Sequence, residues 1–255
     1  MSGKNDLTAA VIIIGNEVLS GRTQDANLQF LAEKLGEIGI PVAEARVVRD
    51  DTDTIVSVVN ECRSHHSYVF TTGGIGPTHD DITSASIARA FGVPLRRDPQ
   101  AVKLLQQHYR QEELNESRLK MADVPAGAIL LDNPVSRAPG FQLDNVFVLP
   151  GVPMIMRAMF ESLQPKLRGG AKVLSRTISA FTTEGAIAAP LAEIQLRHGN
   201  VEIGSYPFIR AKRFGVSLVV RSTAADAIDG AVAEIISMLQ NLAVEPIEDR
   251  NASAA

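Results

Sequence analysis

Tyr68-Val69-Phe70-Thr71-Thr72-Gly73-Gly74-Ile75-Gly76-Pro77-Thr78-His79-Asp80-Asp81-Ile82-Thr83 decides the fold. A short apolar run rich in β-formers predicts a strand over residues 68–72. Glycine at 73, 74 and 76 ends it, and the apolar spacing after Ile82 predicts a helix over residues 83–91, stopped by Gly92 and Pro94. This is a strand–turn–helix junction. In open α/β sheets ligands bind beyond the carboxyl ends of strands, where glycines let backbone N–H groups close on a phosphate. Asp80 and Asp81 add the opposite charge and would repel a phosphate unless a divalent cation lay between. The plainer alternative is a glycine-rich turn followed by acids that favour the start of a helix.

Outward from this junction the same alternation recurs. Residues 9–14, Ala-Ala-Val-Ile-Ile-Ile, are all apolar and read as a strand buried on both faces. Leu28, Leu31, Leu35 and Ile38 then repeat at helical spacing, with Asn27 a possible N-cap. A strand over 42–48 follows, and Thr52 or Asp53 is placed to cap a helix carrying Ile55, Val59 and Cys62. The order strand, helix, strand, helix, strand predicts right-handed crossovers and a mostly parallel sheet in a three-layer αβα sandwich. Beyond it, a helix is expected over 99–112, a proline-punctuated stretch over 123–140, a strand over 146–149, and a helix from the Pro150-Gly151-Val152-Pro153 turn to about Leu167. Arg168-Gly169-Gly170 reads as a linker, dividing the chain into domains 1–170 and 171–255. The second has strands near 173–180, 201–206 and 216–220, helices near 184–198 and 226–242, and a frayed tail over 245–255, a small α+β unit.

Composition narrows the partners. With 45% hydrophobic residues and one cysteine, the chain has material for a core and no disulfide framework. The 25 basic against 29 acidic residues give a net charge of −4, which supplies no drive toward nucleic acid or anionic lipid. The run over 9–14 is too short for a signal core or a membrane span, so a cytoplasmic protein acting on small molecules, with Cys62 reduced, is expected.

No GxxxxGK[ST] or GxGxxG pattern occurs, no CxxC or HExxH, and no GxSxG elbow. His65-His66 is an adjacent pair at a predicted helix end, expected to be solvated. Other polar residues fall at ends of predicted strands and could converge on one crevice: Asn16 and Glu17, Asp25 and Asn27, Asp50 and Asp51. Capping is an equal alternative for Asn27, and a turn role for Asp50 and Asp51.

The 71–83 cluster, with Gly21-Arg22-Thr23-Gln24-Asp25-Ala26-Asn27 upstream and Asn115-Glu116-Ser117-Arg118, Ala138-Pro139-Gly140-Phe141 and Leu149-Pro150-Gly151-Val152-Pro153 downstream, resembles the molybdopterin-binding MoaB/MogA-like domain. Within that superfamily it is most similar to the amino-terminal part of CinA proteins and to the molybdopterin-binding half of FAD synthases. Residues 173–244, with Ile203-Gly204-Ser205-Tyr206-Pro207, resemble the small KH-like domain that follows in CinA proteins, without the GxxG clamp that grips nucleic acid.

The resemblance implies that Gly73, Gly74 and Gly76 bind a phosphate or pterin phosphate. Further candidate binding positions are Asp25, Asn27, Thr72, Pro77, Thr78, Thr83, Asn115, Pro139 and Gly140. Asp50 and Asp81 match the aspartates that hold a divalent metal (Mg, Mn or Co) in MogA-like proteins, and Asp80 is the candidate base. Ser136-Arg137 stands where the family commonly has Gly-Thr, and Met154-Ile155 where it commonly has Glu. The function implied first is metal-dependent hydrolysis of a nucleotide pyrophosphate such as ADP-ribose or FAD. Molybdopterin binding and adenylylation uses the same parts, and a non-catalytic pterin or nucleotide carrier is favoured by the missing Glu. The family also implies a homo-oligomer, dimer or trimer.

Overall fold

A computed structural model describes residues 7–248, so residues 1–6 and the 249–255 part of the expected tail lie outside the described residues. The chain divides near residue 170 into two compact units. In order, the first holds β1 (Ala9–Ile14), α1 (Asn16–Leu19), α2 (Asn27–Glu37), β2 (Val42–Val48), α3 (Thr52–His65), β3 (Tyr68–Thr72), α4 (Thr83–Phe91), β4 (Leu95–Arg97), α5 (Pro99–His108), α6 (Glu116–Leu119), β5 (Asp123–Pro125), β6 (Ile129–Leu131), β7 (Gly140–Leu143), β8 (Val146–Leu149) and α7 (Pro153–Leu163).

Six of these strands form one sheet in the order β2-β1-β3-β8-β7-β6. The pairs β1·β2, β1·β3 and β3·β8 are parallel, and β7 and β6 extend the edge antiparallel, giving the expected mostly parallel α/β architecture. All six residues of β1 are buried, as its unbroken apolar run requires of a strand covered on both faces. Ala10, Ile12 and Ile14 pack against Ile55, Val59 and Cys62 of α3 and Ile87 of α4. Around Phe70, Phe147 and Phe160 a second aromatic set forms, with Phe30 of α2 edge-on to Phe160 of α7 at 6.0 Å. Each such fully buried side chain contributes about 1.5–3 kcal/mol over exposure.

Because β1 lies between β2 and β3, the chain leaves β1 toward one side of the sheet and returns to the other. The carboxyl ends of β1 and β3 therefore flank the topological switch, where ligands enter such sheets.

Several sequence expectations shift. Asp51, not Thr52 or Asp53, caps α3, its Oδ1 accepting from the Thr54 amide at 2.9 Å. Asn27 is not a capping acceptor; the Asp25 carboxylate takes the Leu28 amide at 2.9 Å. The helix expected over 99–112 ends at His108, where Tyr109 turns extended and carries the Arg118 guanidinium 4.5 Å over its ring. Pro165 breaks the last predicted helix of this unit, which ends at Leu163 and continues as a 3-10 turn. His66 is not solvated: it is half-buried, with Nε2 3.0 Å from Glu44 Oε2 and Nδ1 3.1 Å from Thr8 Oγ1.

The second unit holds β9 (Leu174–Ala180), α8 (Glu184–Arg197), β10 (Glu202–Arg210), β11 (Arg213–Ser222), α9 (Ala225–Asn241) and β12 (Ile247–Glu248). Its antiparallel sheet runs β10-β11-β9-β12, with α8 and α9 packed over Ile178, Val216, Leu218 and Val220. The β10–β11 hairpin is longer than expected, and part of the expected tail, Ile247–Glu248, pairs with β9. No helix among the described residues is long and apolar enough to cross a membrane.

Candidate functional site

The loop leaving β3 is shaped by its glycines. Gly73 has φ +105° and Gly74 φ +70°, backbone regions that side chains rarely enter. A Cβ at Gly73 would strike the Ile14 carbonyl oxygen, and one at Gly74 the Thr83 hydroxyl. Fully buried Thr83 clasps the loop from below, its Oγ1 donating to the Gly73 carbonyl and its amide to the Gly74 carbonyl, both at 2.9 Å. Gly73 spends its own N–H on the Leu149 carbonyl at 3.1 Å. The amides of Gly74, Ile75 and Gly76 have no protein acceptor among the described residues, which leaves three successive donors on one short loop.

Asp81 Oδ2 accepts from the Thr78 amide at 2.8 Å and from the Thr78 hydroxyl, closing the loop into a small ring. Its Oδ1 has no protein donor among the described residues. Lys120 Nζ donates to the Thr78 carbonyl at 2.7 Å and brings a cation to the same turn. Asp80 is exposed, 3.9 Å from His79 Nδ1. Asp50, after β2, accepts the Asn16 amide on Oδ2 at 2.9 Å. Among the described residues no three His, Cys, Asp or Glu side chains gather as a metal-binding group.

A cleft of about 550 Å³ opens above this loop. Gly73, Gly74, Gly76, Pro77 and Asp81 line one side, Pro150 to Pro153 and Ile155 another, and Tyr109, Met121, Asn133, Ser136 and Ala138 close it. Asn133 folds its own wall, accepting from the Val135 and Ser136 amides and donating to the Ser136 hydroxyl and the Ala138 carbonyl. Arg137 turns away onto Asp132 at 3.5 Å.

A recess of about 50 Å³ shares Glu17, Thr23, Gly151 and Pro153 with the cleft and is lined also by Asp25, Asn27 and Thr72. Asn27 is 3% exposed; its Nδ2 donates to the Gly151 carbonyl at 2.8 Å, and its Oδ1 has no partner among the described residues. The Thr72 hydroxyl, on a residue 1% exposed, is likewise unpartnered.

Other sequence candidates sit apart from the cleft. Thr78 and Asn115 border an open groove that shares Pro77 with it, and Asn115 caps α6 through the Arg118 amide. Pro139 and Gly140 are buried, and a Cβ at Gly140 would meet the Val148 carbonyl and come within 2.9 Å of Met159 Cε. Asp50 does not line the cleft. Sequence reasoning overlooked Tyr109, Met121, Asn133 and Lys120 as site residues. They come from a helix end, a single 3-10 turn over Lys120–Ala122 and a loop, which carry no periodic signal.

Fold and cleft together define an open α/β protein with a donor-bearing glycine loop and an acid at the sheet's switch point. The chain belongs to the family described as "Probable molybdopterin binding domain", whose model matches residues 10–169. Residues 172–248 match "FAD synthase, middle domain". A Thermococcus kodakarensis protein is 37% identical over 214 residues, 78% of this chain and 85% of that protein. The CinA-like protein of Gloeobacter violaceus is 32% identical over 248 residues, 92% of this chain but 58% of that longer protein. Among solved structures, the CinA protein of Thermoplasma acidophilum, titled as of unknown function, is 36% identical with a TM-score of 0.60, covering 64% of this chain and 99% of that one.

Proposed function

We propose that the cleft binds a phosphorylated nucleotide or pterin and that, with a divalent cation, it hydrolyses the pyrophosphate bridge of a nucleotide of the ADP-ribose or FAD class. One observation carries this reading: the three amides of Gly74, Ile75 and Gly76 stand without protein acceptors beside the Asp81 carboxylate, in one cleft. Amides so placed hold phosphate oxygens and stabilise charge that develops on them.

With two acids, Glu17 and Asp81, lining the cleft and no three-ligand cluster among the described residues, the donor set fits a cation held by one or two carboxylates together with substrate phosphate and water, in the manner of Mg²⁺. Asp81 through Oδ1 would hold Mg²⁺, Mn²⁺ or Co²⁺, which when bound would neutralise and polarise the bridge, while Asp50, the second acid that the resemblance implies, does not line the cleft. Thr78 fixes the Asp81 carboxylate by binding its other oxygen. Lys120 steadies the same turn from outside. Apolar walls at Val152, Ile155 and Met121 suit a flat heterocycle and exclude water. Water adds to one phosphorus, the bridging P–O bond breaks, and two phosphomonoesters leave.

The test incubates purified protein with ADP-ribose, FAD and NAD, each with Mg²⁺, Mn²⁺ or Co²⁺, beside Asp81→Ala. Metal-dependent AMP release lost in the variant is the expected result; AMP release at the wild-type rate in the variant overturns it. A second reading, binding of a pterin or nucleotide without turnover, is favoured by Ile155, an apolar residue of the cleft wall where the resemblance expects an acid. Tight binding with no product under any of the metals would select it.

A further inference from the structure

The recess that Asn27 and Thr72 line carries negative charge with nothing to balance it. Its two ionisable side chains, Glu17 and Asp25, are both acids, and no Lys, Arg or His lines it. Asp25 commits Oδ2 to the Leu28 amide. Glu17 accepts through its backbone carbonyl, from the Ser20 hydroxyl and the Thr23 amide, and its carboxylate has no protein donor among the described residues. That carboxylate folds back against the exit of β1, where a Cβ at Gly15 would stand 2.5 Å from Glu17 Oε1, so glycine is what admits it.

Two neutral oxygens join these acids. Asn27 is 3% exposed and Thr72 1%, and neither Asn27 Oδ1 nor Thr72 Oγ1 has a partner among the described residues. Because Asn27 Nδ2 is committed to the Gly151 carbonyl, Oδ1 is the atom that Asn27 offers the recess. A buried oxygen without a partner is costly, and such groups in a native fold call for an explanation. A cation satisfies all four groups at once. They are hard oxygen donors with no nitrogen or sulfur among them, the set that suits Mg²⁺ or Ca²⁺ better than Zn²⁺ or Cu²⁺. At about 50 Å³ the recess has room for one ion and a water or two, since a water needs roughly 10–15 Å³.

We infer that Glu17, Asp25, Asn27 Oδ1 and the Thr72 hydroxyl form a binding site for a hard divalent cation, held by the fold without any nucleotide. The groups come from α1, the loop before α2, α2 itself and the end of β3, so one ion cross-links the exits of β1 and β3. It stabilises the unliganded protein, whereas the cation proposed at Asp81 needs substrate phosphate to complete its shell. The inference therefore stands apart from the hydrolysis reading.

The test uses purified protein stripped with chelator and desalted, with no nucleotide present. Calorimetric titration with Mg²⁺ and, separately, Ca²⁺ is expected to show a single ion per chain, and thermal unfolding a midpoint that rises with the bound ion. Tighter Ca²⁺ marks a larger, irregular cage, tighter Mg²⁺ an octahedral shell completed by water. Asp25→Asn keeps an acceptor for the Leu28 amide, and Glu17→Gln alters an exposed residue; each is expected to weaken binding about ten-fold by removing one ligand charge. Thr72→Val separates the ion from packing. Without metal it should be at least as stable as wild type, having lost an unsatisfied hydroxyl, and with metal it should gain less. Binding at wild-type strength in both Glu17→Gln and Asp25→Asn overturns the inference, and so does binding that Asp81→Ala abolishes while those two variants keep it. No binding heat and no change in melting with either ion also overturns it and leaves the recess to water.

Discussion

Asn27 at the start of α2 donates to the carbonyl of Gly151, 124 positions later, at 2.8 Å. The contact ties the exit of β1 to the turn after β8, across the β3 loop that lies between them in the sheet. One side chain so holds two walls of the cleft in register, reaching from a buried residue to the exposed Gly151.

Asn27→Ala therefore leaves the Gly151 carbonyl without its donor. The expected loss is about 1 kcal/mol of stability, the net contribution of a typical hydrogen bond, because water can reach the exposed Gly151. Thermal unfolding followed by circular dichroism reads it, and an unchanged midpoint would show the tie to be dispensable.

Gly74 and Gly92 make a controlled pair. Both have positive φ, +70° and +66°, yet a Cβ at Gly92 meets nothing while one at Gly74 strikes the Thr83 hydroxyl. Gly92→Ala pays the left-handed conformation alone, about 1–2 kcal/mol. Gly74→Ala pays that and also displaces Thr83 from its bond to the Gly73 carbonyl, so it destabilises more and weakens ligand binding, which Gly92→Ala leaves intact. Melting curves and ligand titration of the two variants side by side check this; equal behaviour would deny the loop its clasp.

How much of this was legible depended on the kind of signal each residue sends. The β1 run, the Gly92 cap and the Asp80-Asp81 cluster are local patterns, and the parallel sheet follows from them by topology rules. The β10–β11 hairpin escaped because its turn uses Ala211 and Lys212 at φ 50° and 62°, where the usual Asn-Gly signal is missing. Ile247–Glu248 pairs with β9 across most of the second unit, a partnership that no window of the tail reveals. In the cleft, the glycine loop stood out by composition. Tyr109, Met121 and Asn133 reach it by the path of loops, and Asn27 looked like a cap because capping and tertiary bonding demand the same residue type.

Glu44 gives a pH handle. Hydrogen bonds from His66 first and Arg46 second hold its carboxyl below the ordinary value of 4.5. A carboxyl lowered by folding contributes stability that is full above its unfolded value and is lost as the pH falls through the folded one. Glu44→Gln should lower the melting midpoint at neutral pH and by progressively less as the pH falls below the ordinary value of 4.5 and through the lowered folded one. A gap between wild type and variant that stays constant from neutral to acid pH would contradict the pairing.

Cys62 is fully buried in α3 against β1, and burial pushes its thiol up. It is the chain's sole cysteine, so thiol labelling reports one site. Native protein is expected to resist a thiol reagent at neutral pH and to react fully in denaturant, since only the exposed thiolate attacks. Rapid labelling of the native protein would place this helix outside the stable core.

Lys120 separates the loop's support from its chemistry. Its ammonium donates to the Thr78 carbonyl, while Asp81 holds the Thr78 amide and hydroxyl, so the turn is gripped by opposite charges at its two ends. Lys120 is only half-buried, and a methionine keeps its length and apolar stem. Lys120→Met should leave thermal stability nearly unchanged and weaken a phosphorylated ligand by about three- to ten-fold, through the lost charge-assisted bond and the lost cation near the phosphate. The loss should shrink in high salt, because an exposed charge acts through a screened field. Titration at low and high ionic strength reads both effects. A salt-independent loss would assign Lys120 a purely geometric role in holding Thr78.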